Sequence, residues 1–204
     1  MAELSGRNFS NAMLRRAKLD HATLRNANLM QADLRRANLI GADLTGASLS
    51  QADLSAARMS GVRLEAADLA DANVAGADLE FAAMANAMLR RACLRGADMS
   101  GSNLDGADLR GADLREVNLR GASLRHALLD GADFGGARLG GAFLNGASLR
   151  GADLRGAYLR VARLEDADLS SADLRAAEGL TAEQLAAART LVGARLPAPT
   201  VTEE

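Results

Sequence analysis

The sequence predicts an all-β solenoid with a short C-terminal α-helical cap, and three observations carry that prediction. From Leu4 to Leu174 every fifth residue, thirty-five in all, is Leu, Met, Phe or Val. Two places before each stands Ala, with Arg7, Val62, Ser102 and Val117 as the four exceptions. Two places after, Gly fills sixteen of the thirty-five sites. Repetition at a fixed period is the mark of a solenoid, and a period of five fits neither the 3.6-residue helix nor the two-residue strand.

Each five-residue unit therefore holds a short extended piece and a corner. In extended chain the central Leu and the Ala two before it share one side and face inward, while the residues flanking the Leu face out. The residue before the centre is Asp, Asn, Ser or Thr at 22 of 35 sites, side chains that bond nearby backbone at corners. Gly two after the centre supplies positive φ at little steric cost. Corners of one hand wind the chain into coils, which pair their backbones when stacked about 4.8 Å apart. Arg7 is tolerable at an Ala site in the first coil, and Val62, Ser102 and Val117 are expected to bulge the wall slightly.

After Leu174 the period breaks at Glu178 and Gly179. Thr181 and Gln184 form a capping-box pattern, Leu180 and Leu185 a hydrophobic staple. Leu185, Ala188 and Val192 fall on one helical face, with Gly193 and Pro197 as stops. The expected organisation is a repeat region over 1–176, a capping helix over 177–196 and a flexible tail over 197–204. No comparable cap precedes Leu4, so the first coil either frays or meets something; a homodimer through that coil end is one reading.

The units Ala-Asp-Leu-Arg-Gly at 107–111 and Ala-Asn-Leu-Met-Gln at 27–31 carry a resemblance. The chain resembles the pentapeptide-repeat proteins, whose motif is Ala-(Asp/Asn)-Leu-X-X, over roughly residues 2–176. The resemblance implies a right-handed quadrilateral parallel β-helix with four repeats, hence twenty residues, per coil. Thirty-five repeats then make about nine coils, a rod roughly 42 Å long.

With twenty residues per coil, residues twenty apart stack. One face is then distinctive: Asp33, Asp53, Asp113, Asp133, Asp153 and Asp173 lie in one outward column and Arg15, Arg35, Arg95, Arg115, Arg155 and Arg175 in the other. These stripes read either as a solvated salt-bridge ladder or as a partner-docking face. Phe143 stacks beside Arg163 and Tyr158 beside Arg138, spacings suited to cation-π contact. Charge is also banded along the chain. Residues 37–89 hold seven acids, Asp43, Asp53, Glu65, Asp68, Asp71, Asp78 and Glu80, against Arg58 and Arg63, a net of -5. This acidic waist is a second candidate surface.

Composition argues against most chemistry. A single cysteine, Cys93, leaves no intrachain disulfide or cysteine metal site, and the cytoplasm suits such a chain. His21 and His126 lie about 25 Å apart along the rod. The expectation is no catalytic residue, no metal and no cofactor. No membrane association is expected, since the apolar runs are short. With 24 basic and 26 acidic residues, direct nucleic-acid binding is not expected either. Arg outnumbers Lys 23 to one, which together with abundant Ala and Gly suggests a GC-rich bacterial source.

The functional expectation is a non-enzymatic protein-protein interaction rod that presents charged columns to a macromolecular partner of unknown identity. The alternative, drawn from the resemblance, is a DNA mimic that binds DNA gyrase or topoisomerase IV, as quinolone-resistance members do. Duplex DNA carries one charge per about 1.7 Å, so a 42 Å mimic needs about 25 negative charges; this chain nets -2.

Overall fold

The computed structural model describes residues 2–197. Parallel bridges join residues twenty apart from Glu3–Thr23 onward to Tyr158–Glu178, so each coil holds four repeats and the chain winds into a right-handed quadrilateral β-helix. We number coils from residue 2, with coil 1 at 2–21, coil 2 at 22–41 and so on. The four faces are named by their central residues: the first on Leu4, the second on Phe9, the third on Leu14 and the fourth on Leu19.

The five amides of each repeat have distinct fates, and these explain the motif. In the repeat centred on Leu34, the amides of Leu34 and Arg36 donate forward to carbonyls of Asp53 and Ser55 (2.8 and 3.1 Å), while the Asp33 amide donates back to Ala12 (2.9 Å). The Ala37 amide closes the turn on Leu34 (2.9 Å). The fifth, on Arg35, donates to the carboxylate of Asp33. Asp or Asn before the centre thus satisfies the one amide that neither the stack nor the turn reaches. The same two-residue bond recurs at Ser10 with Asn8, Ala70 with Asp68 and Gly135 with Asp133.

Each corner is a four-residue turn whose third residue alone has positive φ, the type II pattern. All thirty-five corners adopt it: sixteen glycines at φ 62 to 69° and nineteen other residues at φ 52 to 60°. The left-handed conformation is imposed on Arg, His, Asn, Phe and even Val, at about 1–2 kcal/mol each. The cooperative stack meets that cost.

The interior is one continuous column of Leu and Ala, buried from Ala22 to Ala177. Val62, Ser102 and Val117 are fully buried. Their turn bonds, 3.0 to 3.2 Å, differ little from the rest, and the Ser102 hydroxyl donates to Met99 C=O at 2.7 Å. In coil 1, Leu4, Phe9, Leu14 and Leu19 are only partly buried. Among the described residues nothing donates to the carbonyls of Glu3, Asn8, Met13 and Lys18, which leaves an open ladder edge there.

The C-terminal end differs from the expected helix. Helix α1 spans only Ala182–Ala187, with Thr181 as N-cap and the capping box to Gln184 formed. Val192 is exposed, and Leu191 instead packs on the core with Leu180, Leu185 and Ala188. The chain leaves α1 to rejoin the stack: Thr190 bridges Asp168 and Arg195 bridges Asp173. Ladder bonding outcompeted helix propensity, since each rejoined residue satisfies coil 9 amides such as Leu169 and Leu174. The tail read at 197–204 lies, from residue 198, outside the described residues. Within those described, no helix is long and apolar enough to cross a membrane.

Gln184 serves both structures at the junction. Its carbonyl accepts from the Thr181 amide, and its NH2 donates to Ala162 C=O (2.7 Å), which the departing chain would leave bare, and to Leu159 C=O (3.0 Å), which also closes its turn with the Ala162 amide. Gly179 passes so close to Arg160 that a Cβ would sit 2.9 Å from the Arg160 amide nitrogen.

Two stability changes follow. Val161→Gly relieves a β-branched residue at φ 52° and raises stability by about 0.5 kcal/mol after glycine's added chain entropy is counted, measured by urea unfolding. Gln184→Ala leaves Ala162 C=O without a donor and lowers stability by about 1–3 kcal/mol, with early loss of hydrogen-exchange protection in coil 9.

Candidate partner-binding faces

On the third face the strand fixes each Asp by its bond to the amide two residues on, and the Arg that owns that amide folds back over the carboxylate. Arg35 thus pairs with Asp33, Arg115 with Asp113, Arg155 with Asp153 and Arg175 with Asp173, at 2.5 to 2.6 Å. All four of these arginines use Nε and Nη2 together on both carboxylate oxygens. Arg35 and Arg115 also reach down a coil to Asp53 (3.6 Å) and Asp133 (3.5 Å), and Arg15 reaches Asp33 at 3.9 Å. Arg95 departs from the scheme: Cys93 stands where its Asp would be, so it pairs with Glu116 at 2.7 Å. With Ser55, Ala75 and Gly135 in the Arg column, the ladder forms three segments, at Arg15 and Arg35, at Arg95 and Arg115, and at Arg155 and Arg175. Arg195, in the rejoined segment, extends it onto Asp173 at 3.8 Å.

The carboxylates respond to this arrangement. The Arg35 guanidinium holds Asp33 below the usual range, and Arg115, Arg155 and Arg175 do the same for Asp113, Asp153 and Asp173, the last lowered to about 2. The guanidinium groups stay half open to water, 40 to 59% exposed among the four in-strand partners.

The acidic waist is a belt rather than a stripe. Asp43 and Glu65 lie on the first face, Asp68 and Asp71 on the second and its corner, and Asp78 and Glu80 on the fourth. Asp43 is held by Arg25 (3.0 Å), Glu65 by Arg63 (3.5 Å) and Asp71 by Arg91 (2.7 Å). Only Asp68, Asp78 and Glu80 are without an ion pair among the described residues.

Two charged positions that the sequence reading passed over prove the most enclosed. Asp108 takes Arg90 and Arg110, and Asp168 takes Arg150 and Arg189. Asp168 is 1% exposed, and Arg189 ties the rejoined C-terminal segment to it. Hydrogen bonds from Arg110 and Arg90 hold Asp108 at about 2 against the opposing effect of burial. At Asp168 burial pushes the carboxyl up, but bonds from Ser170 and the two arginines outweigh it. The signal was present at the twenty-residue stride, Arg90, Arg110 and Arg150 flanking both aspartates. The Phe143 ring lies under Arg125 (4.4 Å) as well as Arg163 (5.0 Å). Tyr158 holds no such contact with Arg138.

Lowered carboxylates make the fold acid-sensitive with a definite sign. Asp108 contributes stability above its ordinary value near 3.8, and the contribution fades as pH falls through about 2. Thermal melts from pH 5 to 2 should show a falling midpoint. Asp108→Asn should lower the midpoint at pH 5 and flatten its decline toward pH 2.

Eight copies of the pentapeptide-repeat model match between residues 2 and 178, covering 2–31, 32–69, 63–101, 92–131, 102–141, 127–166 and 142–178 between them. Among solved structures, HetL, a pentapeptide repeat protein involved in heterocyst differentiation regulation from the cyanobacterium Nostoc, is 38% identical over 95% of this chain and 82% of its own, with a TM-score of 0.41. A trypsin-treated QnrB1, a plasmid-mediated fluoroquinolone resistance protein, is 22% identical over 96% of this chain and 89% of its own, with a TM-score of 0.62. A pentapeptide repeat protein of the Arabidopsis thaliana thylakoid lumen is 33% identical over 46% of this chain and 66% of its own, with a TM-score of 0.45. No curated protein matches. The repeat matches along nearly the whole coil region, together with the four-sided winding they describe, make this chain a member of the pentapeptide-repeat family.

Proposed function

We propose that the protein is a non-enzymatic interaction rod that offers the third-face ladder to a macromolecular partner. The observation that carries this reading is the in-strand Asp–Arg pair, repeated at twenty-residue steps. Each Asp, itself locked to the backbone, holds its Arg in one orientation while leaving further guanidinium N–H groups toward solvent. A partner meeting such an array loses little side-chain freedom on its account, which is how preorganisation raises affinity. The chemistry suits carboxylate or carbonyl groups presented along an extended or helical protein segment.

Topoisomerase binding of the quinolone-resistance kind is the second reading. QnrB1 favours it by name, but at 22% identity that likeness speaks to the fold. The belt geometry weighs against it, since a DNA mimic requires one continuous negative stripe and four of the waist carboxylates here are already neutralised.

Affinity capture with the native rod and with a variant carrying Arg15→Glu, Arg35→Glu, Arg95→Glu and Arg115→Glu separates the readings. A specific protein recovered by the first and at least tenfold depleted with the second, both with the same circular dichroism, supports the third face. Equal recovery removes it. Inhibition of gyrase supercoiling, or relief of a quinolone block, by the purified rod would favour the second reading.

A further inference from the structure

The charges of the fourth face behave unlike those elsewhere. Among the described residues not one ion pair involves this face, although the other three carry all eighteen contacts between them. Beyond Lys18 and Asp20 in coil 1 and Arg58 in coil 3, its charges from coil 4 to coil 8 are also sorted. Asp78, Glu80 and Asp98 occupy coils 4 and 5, and Arg120, Arg138 and Arg160 occupy coils 6 to 8.

Apolar features follow the same division. At the corner of coil 4, Phe81 is 70% exposed in a left-handed conformation, with φ 55°. Its ring leans over Gly101, where a Cβ would lie 2.6 Å from it. In coil 7 the matching corner is bare: Gly140 and Gly141 line a concavity of about 400 Å³ with Arg120, Arg160, Tyr158 and Val161.

From this sorting we propose that two copies of the chain pair through their fourth faces, antiparallel, about a two-fold axis that lies across the face between coils 5 and 6. Such an axis brings coil n opposite coil 11 minus n and keeps each column facing itself. Asp78 then meets Arg138 of the second copy, and Glu80 lies between its Arg120 and Arg160. Phe81 enters the Gly140–Gly141 notch. Arg58 comes to the face of Tyr158, a cation-π partner that Tyr158 lacks within its own chain. Every contact occurs twice.

Neighbouring registers fail on named residues. Moving the axis half a coil toward the N-terminus sets Arg58 against Arg138, and moving it half a coil the other way sets Arg120 against its own copy. The face is one short strand wide, so the interface is small and belongs among weak, concentration-dependent associations. The inference is independent of the third-face reading, because the two surfaces point in different directions around the rod.

Sedimentation velocity from 5 to 500 μM tests it. The native chain should pass from monomer to dimer across that range. Asp78→Arg alone and Arg138→Asp alone should each remain monomeric with unchanged circular dichroism. Mixed one to one, these two variants should form a dimer, because each then meets its opposite in the other chain at both sites. Phe81→Gly should weaken the dimer at least fivefold while raising the melting temperature of the monomer, since it also relieves a left-handed aromatic residue. A native chain that stays monomeric at 500 μM overturns the proposal. So does a dimer that survives both single reversals, which would place the contact elsewhere, for instance at the open edge of coil 1, and so does failure of the mixture to pair.

Discussion

Everything in this rod rests on the turn at every fifth residue, held left-handed at its third position by the coils above and below. Nineteen of these corners are not glycine, and in isolation most would prefer another conformation. They hold because all the corner amides but those of Val161 and Ala176 find a carbonyl in the next layer and each turn closes on the preceding central residue. Apolar burial supplies the driving force, at roughly 1.5–3 kcal/mol per inward Leu, but backbone pairing decides the shape. A stack of this kind gains stability coil by coil, and its ends are its least supported parts.

The two ends solve that problem differently. At the C-terminus the chain spends six residues in α1 and then returns to the ladder, while Gln184 covers the Ala162 carbonyl left beneath the detour. Asp168, nearly sealed, binds Arg189 and so pins the returning segment electrostatically. In coil 1 four central side chains stay partly in water, above a row of carbonyls to which none of the described residues donates.

Much of this was legible in the sequence, and what escaped did so for physical reasons. The period, the inward Leu and Ala and the polar residue at the corner are local rules repeated thirty-five times, and they describe the fold almost completely. The Thr181–Gln184 cap was equally local. The helix length was misjudged because Leu185, Ala188 and Val192 satisfy a helical period, whereas the competing ladder bonds come from residues twenty positions away. The third-face ladder followed from counting in twenties. The two arginines on Asp108, and Arg150 on Asp168, would have followed from the same count on the second face, whereas Arg189 lies past the end of the repeat and is placed only by the rejoined segment. Whether a charge is already neutralised is a matter of side-chain reach, and no spacing rule reports it; the unpaired fourth face therefore became visible only with coordinates.

The twenty-residue stride also determines how such a gene can change length. Loss or duplication of a single repeat inside the rod leaves the core intact, because Leu still follows Leu at five, yet it rotates everything downstream by a quarter turn. Asp33 and Asp53 would part from Asp113 and Asp153, and a surface assembled over several coils would be split between two sides of the molecule. A change of four repeats shortens or lengthens the rod by one layer and leaves every stripe aligned. Selection for folding alone would accept both kinds of event, whereas selection for a binding surface would keep only the second.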